Sequence, residues 1–466
     1  MLLWFRQDLR LADHAALGAA LETGRPVLPV YVLDDAAAGE WALGGASRWW
    51  LHHSLASLTR GLDAAAAPLV LRRGETVAVL AALAREVGAS EIYCGGAVEP
   101  WARALERRAH DGLAARGVAL RRFRTVTLFD PESIRTQVGG VYGVYTPFSR
   151  ACFATAGPKP PTGAPARISS IDPPASDRLA DWGLLPVKPD WAAGLRASWQ
   201  PGEAGAQAAL ARFVDGAMAR YAARRDFPGE PGTSRLSPHL HFGEISAARI
   251  WHAVAERPGA EKFLKEVLWR EFSQYLLWHH PALPEAPLRD AFARMPWRED
   301  AAGLSAWQRG RTGIPIVDAG MRELWQTGWM HNRVRMIVAS FLVKHLLIDW
   351  RAGQKWFWDT LVDADLGSNA ASWQWVAGCG ADAAPYFRVF NPVLQGRKFD
   401  PDGAYVRRYV PELAGLGAAY IHAPWEAPEA ALARVTLGVD YPRPIIDLAA
   451  GRARALAAFG GLTGGH

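Results

Sequence analysis

Short apolar runs alternate with alanine-rich stretches through the first 130 residues. Four runs have the length and hydrophobicity of buried strands: Leu2–Phe5, Val27–Leu33, Leu69–Arg72 and Glu91–Cys94. The stretches between them have helical length: Ala12–Glu22, Arg48–Ala64 and Val77–Val87. This alternation predicts a doubly wound parallel sheet flanked by helices, an α/β domain of the Rossmann-like class.

The pattern changes twice further along the chain. Nine prolines fall between Pro158 and Pro201, a density that prevents regular helix or sheet pairing and predicts a long connector. Beyond it, apolar residues recur at three- and four-residue spacing in four segments: Lys262–His279, Val317–Trp325, Arg333–Leu347 and Gln354–Leu361. We therefore predict an α/β domain over 1–130, a linker over 131–202 and an all-α domain over 203–466.

The composition is typical of a folded, soluble protein, with 50% hydrophobic and 21% charged residues. Charged residues at positions 6, 8 and 10 prevent an apolar signal-peptide core. The cysteines, Cys94, Cys152 and Cys379, have the spacing of neither a disulfide framework nor a metal site. We expect a cytoplasmic protein that binds no metal and no membrane.

Charge and tryptophan content suggest candidate chemistry. The net charge of +6 is compatible with a polyanionic partner such as DNA. Of 21 tryptophans, 12 lie between Trp251 and Trp375. They can form a helical core, or some of them can stack on a ligand or transfer electrons. The absence of GxGxxG and GxxxxGK sequences argues against ordinary dinucleotide or P-loop binding.

The segment Thr233–Pro238 predicts the start of a helix. Ser237 can cap this helix, and Pro238 suits its first position. Arg235 adds a positive charge beside three hydroxyl groups, so the segment is either a phosphate site or only a capped helix.

Two later segments place polar groups among apolar ones. Helical spacing puts Glu266, Trp269 and Arg270 on one face, as a cavity wall or as a simple ion pair between Glu266 and Arg270. Asn332, Arg335 and Met336 share a face of the apolar helix that follows Trp329. A buried guanidinium there needs a carboxylate or an anion, and Asp363 and Asp365 are the candidates, although Asp365 can instead cap the next helix.

These segments resemble the photolyase and cryptochrome family of flavoproteins. The resemblance runs from Leu3–Arg10 to Lys398–Pro401 and includes Thr312–Arg322 and Asp382–Pro392. It implies a folded FAD in the helical domain, with Arg335 paired to Asp363 and Asn369 facing the flavin N5. The implied FAD-binding residues are Tyr221, Thr233, Ser234, Arg235, Leu236, Ser237, Trp329, Arg335, Asp363, Asp365 and Asn369.

The resemblance also implies roles for three further groups of residues. The tryptophan relay to the flavin would be Trp373, Trp350 and Trp297. The catalytic residues around the substrate would be Glu266, Trp269, Asn332, Met336 and Trp375. The DNA contacts would be Arg225, Arg333, Arg388 and Lys398.

Within the family, Asn332 and Met336 favour class I enzymes that repair cyclobutane pyrimidine dimers. Glu99 and Pro100 replace the asparagine-glutamate pair of folate-using relatives. A deazaflavin antenna is therefore favoured over methenyltetrahydrofolate; an empty antenna pocket, with Glu99 only a surface carboxylate, is the alternative.

The expected function is light-driven repair of these dimers, in which a monomer flips the dimer out of double-stranded DNA and reduced FAD donates an electron to it. No obligate protein partner is expected. The alternatives are a blue-light receptor that signals to a protein and a flavin electron carrier.

Overall fold

The computed structural model describes residues 1–383, 387–432 and 435–463. A five-stranded parallel sheet occupies the N-terminal part, in the order β3-β2-β1-β4-β5. Its strands are β1 (Leu2–Phe5), β2 (Leu28–Leu33), β3 (Val70–Arg73), β4 (Glu91–Gly95) and β5 (Ala119–Phe123). The predicted doubly wound α/β class is confirmed.

The four predicted strands are present, and β5 is an additional edge strand. The residues of β1 are all buried, as a central strand covered by helices requires. In β5 the side chains of Arg121 and Arg122 are exposed, so this strand lacks the apolar pattern that marked the other four.

Helices make up most of the remaining regular structure. Those in the first half of the chain are α1 (Ala15–Glu22), α2 (Asp35–Ala38), α3 (Gly45–Ala64), α4 (Thr76–Glu86), α5 (Pro100–Ala114), α6 (Tyr145–Phe153), α7 (Ala193–Ser198), α8 (Glu203–Arg212) and α9 (Tyr221–Arg224). Those that follow are α10 (Ser237–His241), α11 (Ala247–Val254), α12 (Ala260–His279), α13 (Ala301–Gln308), α14 (Pro315–Thr327), α15 (Asn332–Ser340), α16 (Trp350–Thr360), α17 (Leu366–Ala377), α18 (Pro392–Phe399), α19 (Ala404–Tyr409) and α20 (Leu448–Thr463).

Two helical predictions need correction. The helix expected to continue to Leu347 ends as α15 at Ser340, and a π-helical turn, Phe341–His345, follows it. The helix expected to be capped by Ser237 is only five residues long; its cap is Leu236, whose side chain makes no capping hydrogen bond. This short helix offers little of the anion-binding dipole that the sequence pattern suggested.

The chain forms two compact units, each built from separate segments. The first unit comprises Met1–Ala219, Ser234–Pro281 and Val362–Gly367. The second unit comprises Arg220–Thr233, Ala282–Leu361 and Ser368–His466. The domain boundaries at 130 and 202 remain a prediction. Among the described residues, no helix is long and apolar enough to cross a membrane.

Candidate functional site

The predicted site residues belong to both units. Those in the first unit are Glu99, Ser234, Arg235, Leu236, Ser237, Glu266, Trp269, Asp363 and Asp365. Those in the second unit are Tyr221, Arg225, Thr233, Trp297, Trp329, Asn332, Arg333, Arg335, Met336, Trp350, Asn369, Trp373, Trp375, Arg388 and Lys398.

A buried polar cluster of the first unit contains Asp365, Gln274, Glu99 and His241; we call it the polar corner. The Nε2 of Gln274 donates to Asp365 Oδ2 at 2.5 Å. Burial, and next the charge of Asp365, raise the pKa of Glu99. Glu99 is only 5% exposed, so the alternative that it is a surface carboxylate was wrong. Its proximity to Asp365 connects it with a residue predicted to bind FAD.

The polar corner has unused hydrogen-bonding capacity. The Oε1 of Gln274 and both ring nitrogens of His241 are buried without a hydrogen-bond partner within the described chain. Burial lowers the pKa of His241, which favours the neutral ring. Buried polar atoms are normally hydrogen-bonded, so these atoms fit the presence of a bound polar molecule. The amide edge of a flavin offers both donors and acceptors of the kind they need.

Arg235 has an unusual backbone. Its φ of +53° lies in the left-handed region, which non-glycine residues adopt rarely and often at functional sites. Its guanidinium carbon lies 4.2 Å from the ring centroid of Trp199. Arg235 is thus held in a fixed position next to Ser234 and Ser237, as a diphosphate-binding arginine would need to be.

The indole of Trp269 is fixed by a neighbour that the sequence did not reveal. The ring of Tyr145 stacks on it at 3.7 Å between centroids and 8° between planes. The hydroxyl of Tyr145 donates to the carbonyl oxygen of Lys265, at 2.5 Å. Both Trp269 and Glu266 are half-buried. These two residues therefore offer an indole and a carboxyl group on one part of α12.

The alternative ion pair between Glu266 and Arg270 competes with other partners. Arg270 Nη1 lies 3.1 Å from Glu271 Oε1 and donates to the Val126 carbonyl oxygen at the same distance. Glu271 is only 3% exposed and accepts from the backbone N–H of Leu128 at 2.8 Å. Arg270 and Glu271 thus tie α12 to the segment after β5.

In the second unit, α15 begins at Asn332 next to its cap, His331, whose side chain accepts from the Arg333 N–H. Asn332 is exposed, whereas Arg335 and Met336 are half-buried, so the side chain of Arg335 is only partly buried. Arg335 Nε donates to the Met330 carbonyl oxygen at 2.7 Å. Its pairing with Asp363 remains a prediction.

Among the three predicted relay tryptophans, Trp297, the one expected nearest the surface, is the most exposed. Trp373 and Trp350 are 2% and 1% exposed, and Trp297 is half-buried. A Cβ added to Gly353 would lie 2.1 Å from the Trp373 ring, so Trp373 packs directly on the backbone of α16, the helix that Trp350 begins.

Other residues surround Trp373. Phe357 and Trp307 contact the ring at centroid distances of 5.1 Å and 6.2 Å. Asn369, one turn earlier on α17, donates from Nδ2 to the Gln354 carbonyl oxygen at 3.0 Å. Trp373, a predicted relay residue, is therefore held by a packed aromatic cluster.

Three of the four predicted DNA-binding cations lie close together. Asp226 Oδ1 accepts from Arg333 at 3.0 Å and lies 3.8 Å from Arg225 Nε. The guanidinium carbon of Arg333 lies 4.4 Å from the centroid of the Phe399 ring, and the Nζ of Lys398 lies 5.2 Å from it. We call Arg225, Arg333, Lys398, Asp226 and Phe399 the basic cluster. Asp226 was not predicted, because an acidic residue is not a signal for DNA binding.

The remaining predicted cation and aromatic residues lie around the family motif Asp382–Pro392. Residues 384–386 of this motif lie outside the described part of the chain. Arg388 is exposed, and its carbonyl oxygen accepts from the buried Lys344. The indole N–H of Trp375 donates to the Asp382 carbonyl oxygen at 3.1 Å.

Two family models match the chain. Residues 1–166 match the model described as DNA photolyase, and residues 263–461 match the FAD binding domain of DNA photolyase. Together they cover the sheet, most of α12, the predicted relay tryptophans and most of the basic cluster.

Known proteins are similar over nearly the full length. A deoxyribodipyrimidine photo-lyase of Agrobacterium fabrum is 51% identical, over 98% of this chain and 97% of that protein. Cryptochrome-1 of Arabidopsis thaliana is 39% identical, over 97% of this chain and 69% of its own length. The crystal structure of a bacterial class III photolyase from Agrobacterium tumefaciens has a TM-score of 0.96 at 50% identity, covering 99% of this chain and 97% of that one.

Proposed function

The chain belongs to the photolyase and cryptochrome family, and from this membership we propose that it repairs cyclobutane pyrimidine dimers in DNA under light. The observation that carries the proposal is the placement of Glu266 and Trp269 one turn apart on α12. The indole, held by Tyr145, provides a flat apolar surface for the dimer. The carboxyl group stands one helical turn away to contact its polar edge.

FAD is the cofactor of this proposal. Arg235 and its neighbouring hydroxyl residues would hold the diphosphate, and the polar corner would hydrogen-bond the flavin amides through Asp365 and Gln274. Bound FAD, when reduced and excited by light, supplies the electron that cleaves the two bonds joining the pyrimidines. The protein binds and orients both the cofactor and the dimer.

DNA binding begins with phosphate contacts. Arg225, Arg333, Arg388 and Lys398 would hold the backbone of the damaged strand, which fixes its register without reading its sequence. The dimer then leaves the base stack, at a cost that is lower for a damaged step than for an intact one. The indole of Trp269 would replace part of the lost stacking, and Trp375, Asn332 and Met336 are the residues of the second unit for which we propose a role in dimer binding.

The subtype of the proposal follows the related structure. The resemblance favoured class I, but the solved structure at 50% identity is that of a class III photolyase. We therefore propose that the chain belongs to class III.

The antenna chromophore is a separate question. The burial of Glu99 at the polar corner argues against Glu99 as an antenna ligand. Reconstitution of the protein with a deazaflavin and with a folate would decide between the two.

The decisive experiment illuminates the reduced protein with an oligonucleotide that contains one thymine dimer. Repair should require light and reduced flavin, and dark samples should retain the dimer. Loss of the dimer is measured by chromatography. If the illuminated, flavin-loaded protein leaves the dimer intact, the proposal is wrong.

A photoreceptor is the second candidate, because the plant cryptochrome matches nearly the whole chain. Photoreduction of the flavin without any dimer loss would favour this alternative.

We further propose that the protein acts as a cytoplasmic monomer without an obligate protein partner. Size-exclusion chromatography with light scattering, with and without DNA, tests the monomer.

A further inference from the structure

A cavity of about 40 Å³ lies in the second unit, beside the indole of Trp375. Cations and one hydroxyl provide its charged and hydrogen-bonding side chains: Arg289, Ser340, Lys344 and Arg388. Much of the remaining wall is aromatic, including Phe387. Within the described residues, no carboxylate lines the cavity.

Lys344 is the buried cation of this cavity. It is only 4% exposed, its Nζ donates to the Arg388 carbonyl oxygen at 2.5 Å, and the same atom lies 4.0 Å from the ring centroid of Phe387. Its ammonium has no carboxylate partner in residues 1–383, 387–432 and 435–463. A buried ammonium without a counter-charge is costly. An anion bound beside Lys344 would offset this cost.

Electrostatics agree with the geometry. Burial, and next the charge of Arg388, lower the pKa of Lys344 to about 7. An anion in the cavity would favour the charged form of Lys344 and would be attracted by it in return. Arg289 and Arg388 are exposed, so two surface arginines line the cavity together with one buried lysine.

The size and chemistry of the lining indicate the ligand class. A volume of about 40 Å³ holds roughly three water-sized spheres, which suits one tetrahedral oxyanion. Guanidinium groups bind phosphate oxygens in pairs, and a lysine binds them as a point charge. The Ser340 hydroxyl already accepts from the Phe390 N–H at 3.4 Å, and its own proton can be donated to a ligand oxygen.

We propose that this cavity binds a phosphate group between Lys344 and the guanidinium groups of Arg289 and Arg388. The phosphate can come from the DNA backbone or from free inorganic phosphate. Trp375 and Arg388 belong both to this cavity and to the proposed DNA-binding surface, which favours a backbone phosphate. Only this choice of source rests on the proposed function.

The first test measures binding of inorganic phosphate to the FAD-loaded protein in the dark, without DNA. The readout is the thermal unfolding midpoint, with chloride at equal ionic strength as the reference. The wild type should show a saturable rise with phosphate. Lys344→Met should weaken phosphate binding about tenfold or more, because a charged hydrogen-bond donor is lost. It removes a buried charge, so it should fold with an unchanged or higher midpoint in chloride.

Two further variants complete this test. Arg289→Gln changes an exposed residue, so it should fold normally and also weaken phosphate binding. Lys262→Met removes one exposed positive charge on α12 and should bind phosphate as the wild type does. Equal phosphate shifts in the wild type and Lys344→Met, or an equal shift with chloride, would overturn the site.

A second measurement distinguishes a phosphate of the DNA backbone from free inorganic phosphate. The salt dependence of binding to an undamaged duplex is compared between the wild type, Lys344→Met and Arg289→Gln. If a backbone phosphate occupies the cavity, each substitution should lower the slope of log affinity against log salt by about 1. Unchanged slopes would overturn the DNA source and leave free phosphate as the ligand. Neither arm depends on dimer repair.

Discussion

Glu266 is the carboxyl group that we expect to act on the dimer. When the dimer accepts an electron, negative charge develops on a pyrimidine carbonyl oxygen, which an ionised carboxylate would repel. A protonated carboxyl group can instead donate a hydrogen bond to this oxygen. We expect Glu266 to be this donor when a dimer fills the site.

Glu266→Ala should therefore lower the repair yield per absorbed photon several-fold, because it removes a donor directed at developing charge. Dimer binding should weaken only modestly. Glu266→Gln retains a neutral donor and should keep more activity than the alanine variant. Quantum yield and dimer affinity are measured separately for each protein. If the glutamine variant is as impaired as the alanine variant, or if both repair normally, the hydrogen-bond role is wrong.

His345 makes folding stability sensitive to acid. It is 1% exposed, and its Nδ1 has no hydrogen-bond partner in the described chain. Burial, and next the charges of Arg454 and Lys344, lower the pKa of His345 to about 4. Between this value and the unfolded value of about 6.5, the unfolded chain binds more protons, so the stability contributed by His345 is present above this range and is lost as pH falls through it.

Replacing His345 tests the predicted direction of this pH dependence. The free energy of unfolding of the wild type should fall by about 2 kcal/mol more than that of His345→Leu between pH 7 and pH 5, as measured by urea titration. His110→Gln, at a 65% exposed histidine side chain, should keep the wild-type dependence. Parallel pH profiles for the wild type and His345→Leu would show that His345 is not the titrating group.

At the scale of the elements, the hydrophobic pattern was informative where burial is continuous. It located β1 to β4 to within one residue at each end because these strands are apolar. It missed β5 because an edge strand can carry Arg121 and Arg122 towards solvent. It also extended α15 through Leu347, since apolar spacing does not distinguish an α-helix from the π-helical turn that follows.

For the site residues too, the sequence pattern predicted contacts within one helix but not contacts between distant segments. Helical spacing predicted that Glu266 and Trp269 lie together, because both belong to α12. It could not predict the stacking of Tyr145, since this contact joins segments more than a hundred residues apart. Nor could it show that Gln274 binds Asp365. A lysine within the apolar run 337–348 was the available signal for the cavity at Lys344.

The close packing of α16 against Trp373 allows a test of the relay at this scale. Gly353→Ala places a methyl group where the indole now lies, because the added Cβ would be 2.1 Å from the ring. Trp373 must then move, at a cost of about 1–3 kcal/mol in stability. Photoreduction of oxidised FAD should slow several-fold, as it should more severely in Trp373→Phe.

Repair by enzyme that is already reduced should remain nearly normal in both variants, because the relay only supplies electrons to the flavin. Gly18→Ala is the matched control, since a Cβ added at Gly18 in α1 has no neighbour within 4 Å. Transient absorption measures the photoreduction rate, and dimer loss measures repair. Equal loss of both activities would place Trp373 on the repair path instead of the relay.

At the scale of the whole molecule, the net charge of +6 is modest, so DNA affinity depends on where the cations lie. Asp226 reduces the charge of the basic cluster at the point where Arg225 and Arg333 meet. These two guanidinium groups are partly compensated before DNA arrives. Binding a phosphate there requires them to exchange a carboxylate for the phosphate, which weakens binding to any sequence.

Asp226→Asn should therefore strengthen binding to undamaged duplex several-fold at low salt. The slope of log affinity against log salt should steepen by up to about 1, measured between about 50 and 200 mM salt. Asp190→Asn makes the same charge change at an exposed ion pair with Arg196, in the proline-rich connector, and should leave the slope unchanged. The preference for dimer-containing over undamaged DNA should stay unchanged in Asp226→Asn, since the phosphate contacts strengthen both complexes alike. Equal slopes for the Asp226 and Asp190 variants would mean that DNA does not contact the basic cluster.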